Sequence, residues 1–141
     1  MTFKLSDKSL KKLEGVHDDL QKVVKEAIKI SRVDFGVLEG FRTPERQKEL
    51  YDQGRTKPGN IVTWTLKSDH LWGLAVDLGA YSGGVYNPGD TPEELRLYDQ
   101  IANAMLETAA RLDIPLVHGI FYKGKLTDTG HFALNRNFYK R

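Results

Sequence analysis

The chain has 141 residues, 40% hydrophobic and 28% charged, with 13 glycines, no cysteine and a formal net charge of +2. That length and balance suit one compact domain with a hydrophobic core rather than a disordered chain. The lack of cysteine excludes disulfides, thiol catalysis and cysteine-based zinc fingers, and the small charge gives little case for nucleic acid, although a weakly basic surface suits an anionic polymer.

The opening stretch, "MTFKLSDKSLKKLEG", has no apolar run of signal-peptide length, and no segment nears the roughly 20 apolar residues of a membrane span. Synthesis in the cytoplasm is the expectation, with neither a membrane nor a nucleic acid as partner. Residues 17–31 are predicted to form a helix, with Leu20, Val23, Val24, Ala27 and Ile28 on one face and Asp18 and Asp19 at its positive end. "DFGVLEGF" (34–41) reads as a strand. A helix follows, with Thr43 as N-cap, Pro44 in its first turn and Gly54 as its stop. Residues 55–67 read as a loop or irregular hairpin, 73–80 as a strand and 81–90 as a turn-rich surface loop. The clearest helix starts at Thr91, Pro92 and Glu94, a capping-box pattern, and carries Leu95, Tyr98, Ile101, Ala102, Met105, Leu106 and Ala109 on its apolar face. "IPLVHGIFY" and "GHFALN" read as two more strands. Three helices and about four strands in mixed order predict an α+β domain, 1–141, with helices packed on a small, mainly antiparallel sheet.

Four histidines are available for chemistry: His17, His70, His118 and His131. A catalytic zinc takes about three protein ligands and leaves one position open. His70 and Asp77 bracket an apolar run, and a carboxylate between Val76 and Leu78 needs a partner, because an unpaired buried charge is costly. A cation would serve. So would an arginine, with His70 left in a surface loop, and the spacing leaves both open. In "DTGHFAL", Asp128 precedes His131 by three residues, an offset that can set a general base beside a metal ligand. The same residues also read as a turn entering a strand. Glu14 and His17 read as solvated or helix-start residues, and His118 as a packed strand-end histidine or a group supporting a ligand from behind. Arg42, between a strand and a helix, can grip a carboxylate or carbonyl at two points, or form a surface ion pair. No GxSxG, phosphate loop or dinucleotide fingerprint occurs.

Together, these pieces resemble a known family. "SDHLWGLAVDL" matches the SxHxxGxAxD signature of zinc peptidases that cut bacterial peptidoglycan, at Ser68, His70, Gly73, Ala75 and Asp77. These are the VanY-like D-alanyl-D-alanine carboxypeptidases and L-alanyl-D-glutamate endopeptidases. "GFRTPERQKELYDQGR" is similar to the family's upstream segment and "DTGHFAL" to its DxxHF, so the resemblance spans roughly residues 31–135. It implies one zinc per chain, held by His70, Asp77 and His131, with Asp128 as general base. It also implies that Arg42 steadies the substrate carbonyl and oxyanion, with Ser68 and Gln47 near the substrate. One departure stands out: His118 falls where the family often has a tryptophan, in a Trp-Gly-Gly-Asp-like stretch. Within the group the chain most resembles a monomeric, single-domain phage endolysin. It would cut the peptidoglycan stem peptide as an L-alanyl-D-glutamate endopeptidase, waiting in the host cytoplasm until a holin opens the membrane. A D-alanyl-D-alanine carboxypeptidase or dipeptidase, and a zinc-stabilised wall-binding module without turnover, are the alternatives. The acidic and carbonyl groups of the 81–90 loop offer a weaker pattern for calcium.

Overall fold

The structure, a computed structural model, describes residues 2–61, 63, 67–122 and 124–141, with the backbone alone at 121 and 122. In chain order the elements are α1 (Asp7–Lys12), α2 (Asp18–Ile30), β1 (Asp34–Glu39), α3 (Pro44–Asp52), a 3-10 turn (Asp69–Trp72), β2 (Ala75–Ser82), β3 (Val85–Asn87), α4 (Pro92–Leu112), β4 (Leu116–Tyr122) and β5 (Lys125–Leu134). The sheet runs β1-β2-β5-β4, with β3 paired to β2, and every pairing of named strands is antiparallel. This is the expected α+β arrangement.

Local chemistry accounts for the helix ends. His17 caps α2, its Nδ1 accepting from the Asp19 N–H at 3.0 Å. Thr43 caps α3 and Thr91 caps α4, each hydroxyl accepting an N–H three residues on. The Glu94 carboxylate reaches back one residue further than in a standard capping box, to the N–H of Asp90. Leu20, Val23, Val24, Ala27 and Ile28 of α2 are buried with Tyr98, Ile101, Ala102, Met105 and Ala109 of α4 in one core, against Val76, Leu78 and Phe132 of the sheet.

Several expectations need correction. The turn-rich 81–90 segment contains β3, which forms a hairpin with β2. The short α1 was not anticipated, because six residues carry too little periodicity. Leu95 and Leu106 are exposed rather than buried in the α4 face. The loop read over 55–67 lies partly outside the described residues. No helix among the described residues is long and apolar enough to cross a membrane.

Candidate metal centre and catalytic cleft

Asp77 lies at the centre of one cross-strand row. It pairs with Glu39 on β1 and with His131 on β5, so all three side chains issue from the same face of the sheet. The Glu39 pairing depends on a bulge. Val37 faces Leu78, Glu39 faces Asp77, and Leu38 is the extra residue between them.

His70 comes from the 3-10 turn, ahead of the strand that carries Asp77. The Ser68 hydroxyl caps this turn by accepting the His70 N–H at 3.2 Å. Gly73 ends it with φ 67, in the left-handed region. The connection after β1 grips the same turn twice. The Arg42 N–H donates to the His70 carbonyl at 2.9 Å, and the Gly40 carbonyl lies 2.8 Å from His70 Nδ1. A carbonyl only accepts, so Nδ1 carries the proton.

That assignment decides the character of the cluster. His70 Nε2 then presents a lone pair, and it stands 3.3 Å from Asp77 Oδ2. Two lone pairs at that distance need an additional proton or a cation between them. The other carboxylate oxygen, Oδ1, lies 2.9 Å from His131 Nδ1. One ligand atom from each of His70, Asp77 and His131 falls within 4.8 Å of the other two, and among the described residues no other group of this kind is assembled. No residue of the 81–90 segment belongs to this group. Burial pushes the Asp77 carboxyl up, but hydrogen bonds and charge from His131 and His70 outweigh it and hold the group well below the usual carboxylate range. The His70 side chain is 3% exposed and that of Asp77 33%, which leaves the cluster closed behind and open in front. Two imidazoles and one carboxylate, one imidazole tied to a backbone carbonyl, can hold a metal ion and suit zinc.

Arg42 is buried beside this cluster. Its Nε and one terminal nitrogen donate to the two oxygens of Glu39 at 2.8 and 2.7 Å, and the other terminal nitrogen donates to Gln47 Oε1 at 2.7 Å. The nitrogen shared with Glu39 is also 3.8 Å from Asp77 Oδ2. Gln47 is fully buried behind Arg42 rather than in the cleft wall. Glu39 was not singled out from the sequence. Its offset of three residues from Arg42 was visible, but the bulge that turns it toward Asp77 was not.

The cluster opens into a cleft of about 590 Å³, lined by Arg42, Ser68, Glu39 and Asp128 among others. Asp128 is exposed, has φ 48 and lies on β5 three residues before His131. Tyr98 closes one side, its hydroxyl donating to the Asn87 carbonyl at 2.7 Å. Burial pushes its phenol up to about 12, so it remains a donor. His17 and Glu14 lie outside this cleft. His118 lies behind it, stacked on Phe132 with centroids 4.8 Å apart.

The family model for phage L-alanyl-D-glutamate peptidase matches residues 1–137. The chain belongs to this family. Among its relatives is the peptidoglycan L-alanyl-D-glutamate endopeptidase CwlK of Bacillus subtilis (strain 168), 45% identical over 71 residues, which are 44% of this chain and 42% of CwlK. The L-alanyl-D-glutamate peptidase of Escherichia phage T5 is 29% identical over 119 residues, covering 84% of this chain and 81% of that one. The crystal structure of the Serratia marcescens L-Ala D-Glu endopeptidase ChiX superposes with a TM-score of 0.79 at 35% identity, over 96% of this chain and 92% of that one. This family member thus has the fold of a known endopeptidase over nearly its full length.

Proposed function

We propose that the chain is a zinc-dependent L-alanyl-D-glutamate endopeptidase that cleaves the peptidoglycan stem peptide, as a phage endolysin does. The observation that carries this reading is the convergence of His70, Asp77 and His131, with His70 Nε2 turned toward a carboxylate oxygen 3.3 Å away, at the floor of an open cleft. Family membership supplies the bond class. His70, Asp77 and His131 hold the metal, which when bound supplies a Lewis acid that activates water near neutral pH.

The remaining roles fall to the chain's own groups. Asp128 is the general base: its exposed carboxylate lines the cleft and takes the proton of the attacking water, then passes it to the departing amine. Arg42 contributes fixed positive charge toward the scissile carbonyl as it gains negative character, an effect typically worth about 3 kcal/mol. Glu39 and Gln47 hold its guanidinium, so little reorganisation is needed. Ser68 lines the cleft next to His70 and serves the substrate. The activity resides in one monomeric domain, 1–141, that reaches the wall from the cytoplasm once a holin has opened the membrane.

Digestion of purified peptidoglycan with and without a chelator, followed by mass spectrometry, tests this reading. Metal-dependent release of fragments with a new N-terminal D-glutamate is expected. Free D-alanine instead would assign the carboxypeptidase reaction, and no release from a folded, zinc-loaded protein would assign a binding module.

A further inference from the structure

One histidine takes no part in the cluster, and its geometry gives it a use. The β4–β5 ladder skips: His118 faces Phe132, but Ile120 faces Thr127. Residues 128–131 of β5 therefore stand opposite Gly119 alone, without regular ladder partners on β4. Asp128 adopts φ 48 within this bulge. A left-handed conformation is strained for a residue other than glycine, less so for aspartate than for most, and it persists where its surroundings hold it.

Two side-chain hydrogen bonds bracket Asp128. On one side the Thr127 hydroxyl donates to the Ile120 carbonyl at 2.8 Å. On the other, His118 Nε2 lies 2.8 Å from the Thr129 carbonyl. That carbonyl can only accept, so Nε2 carries a proton and donates. The His118 ring is itself fixed by stacking on Phe132, which is fully buried, at an interplanar angle of 20°. Behind the bulge, Gly130 lies so close to the Leu78 carbonyl that a Cβ would not fit. The segment is thus pinned from β2 by backbone contact and from β4 by an imidazole.

We propose that His118 is a positioning residue for Asp128: its Nε2–H replaces the missing ladder bond at Thr129 and holds the bulge in the form that presents the Asp128 carboxylate to the cleft. The proposal rests on the reading of Asp128 as general base. His118 touches neither substrate nor metal and acts only through the backbone of 128–131.

The test compares His118→Phe, which keeps a ring over Phe132 and removes the donor, with His118→Gln, which restores a donor of similar reach. On the zinc-loaded protein, His118→Phe is expected to lower kcat by about 10- to 100-fold, with KM and zinc content unchanged, and His118→Gln to recover most of the loss. Adding His118→Phe to Asp128→Ala is expected to change kcat less than about twofold. If Asp128→Ala is inactive while His118→Phe retains wild-type kcat, the His118 proposal fails and the base reading stands. A fully active Asp128→Ala ends both. A multiplicative loss in the double variant also overturns the proposal. Should His118→Phe fold poorly, long-range proton–nitrogen spectra of the metal-free wild-type protein decide instead. A protonated Nε2 on His118 supports the bond to Thr129, and a bare Nε2 refutes it.

Discussion

Replacing Gly73 by alanine tests how the His70 turn is held. Gly73 closes the 3-10 turn at φ 67, and its carbonyl accepts the His17 N–H at 2.8 Å, which joins the turn to the start of α2. Two costs add. An alanine at that φ carries about 1–2 kcal/mol of backbone strain. A Cβ there would also overlap the Gly15 carbonyl oxygen, with its nearest further neighbours 3.3 Å away, and forcing atoms into packed space costs about 1–3 kcal/mol. The sum is about 2–5 kcal/mol, at roughly 3 °C of melting temperature per kcal/mol for a chain of this size. Gly83 is the internal control. It has φ 57, yet a Cβ there meets nothing within 4 Å, so Gly83→Ala should show the strain alone. Urea denaturation of both metal-free variants gives the difference directly. A Gly73→Ala protein no less stable than Gly83→Ala would refute the overlap argument. Weakened zinc affinity in Gly73→Ala, with Gly83→Ala unchanged, is the accompanying expectation.

Thr108 is fully buried in α4, and its hydroxyl has no hydrogen-bond partner among the described residues. Thr108→Val should therefore raise stability by about 1 kcal/mol, and a loss in denaturant titration would show that the hydroxyl is satisfied after all. The Asp77 carboxyl is held below its unfolded value of about 3.9, so its contribution is complete above about pH 5 and drains away as pH falls through the acid range. The stability gap between metal-free wild type and Asp77→Asn should narrow from pH 5 to pH 2.5, and a gap that widened would reverse the sign argued here. Glu39→Gln removes one charge from the fork on Arg42 and frees the guanidinium to turn toward Asp77, 3.8 Å away. Zinc affinity should drop about tenfold, as seen when partners behind metal ligands are lost, and unchanged affinity in a competition titration would make Glu39 a bystander.

The long elements were legible because their patterns are redundant. In α4, a threonine cap, a proline in the first turn and repeated apolar positions all agree, and Tyr98, Ile101 and Met105 are buried as expected. Even there, periodicity could not tell core from cleft: Leu95 has the right spacing but lines the cavity. The hairpin strand β3 was hidden because Val85 and Tyr86 are both exposed and show no alternation. At the site, His70, Asp77 and His131 could be named from their motifs, but not the means by which they meet. A one-residue bulge at Leu38 aligns Glu39 with Asp77, and a longer one in β5 sets Asp128, and neither leaves a periodic trace. His70 falls just ahead of the strand expected over 73–80, where no periodicity marks the separate turn that Ser68 and Gly73 cap.

The strand order has a consequence for when the cluster can exist. β5 is the last of the described strands in chain order, yet it lies between β2 and β4. Until it emerges from the ribosome, β2 keeps an open edge, β4 has no partner in the sheet, and Asp77 faces solvent where His131 will stand. Every nascent fragment that ends before β5 therefore lacks both one corner of the metal cluster and the bulge that carries Asp128. The sheet's topology ties completion of the site to the synthesis of β5.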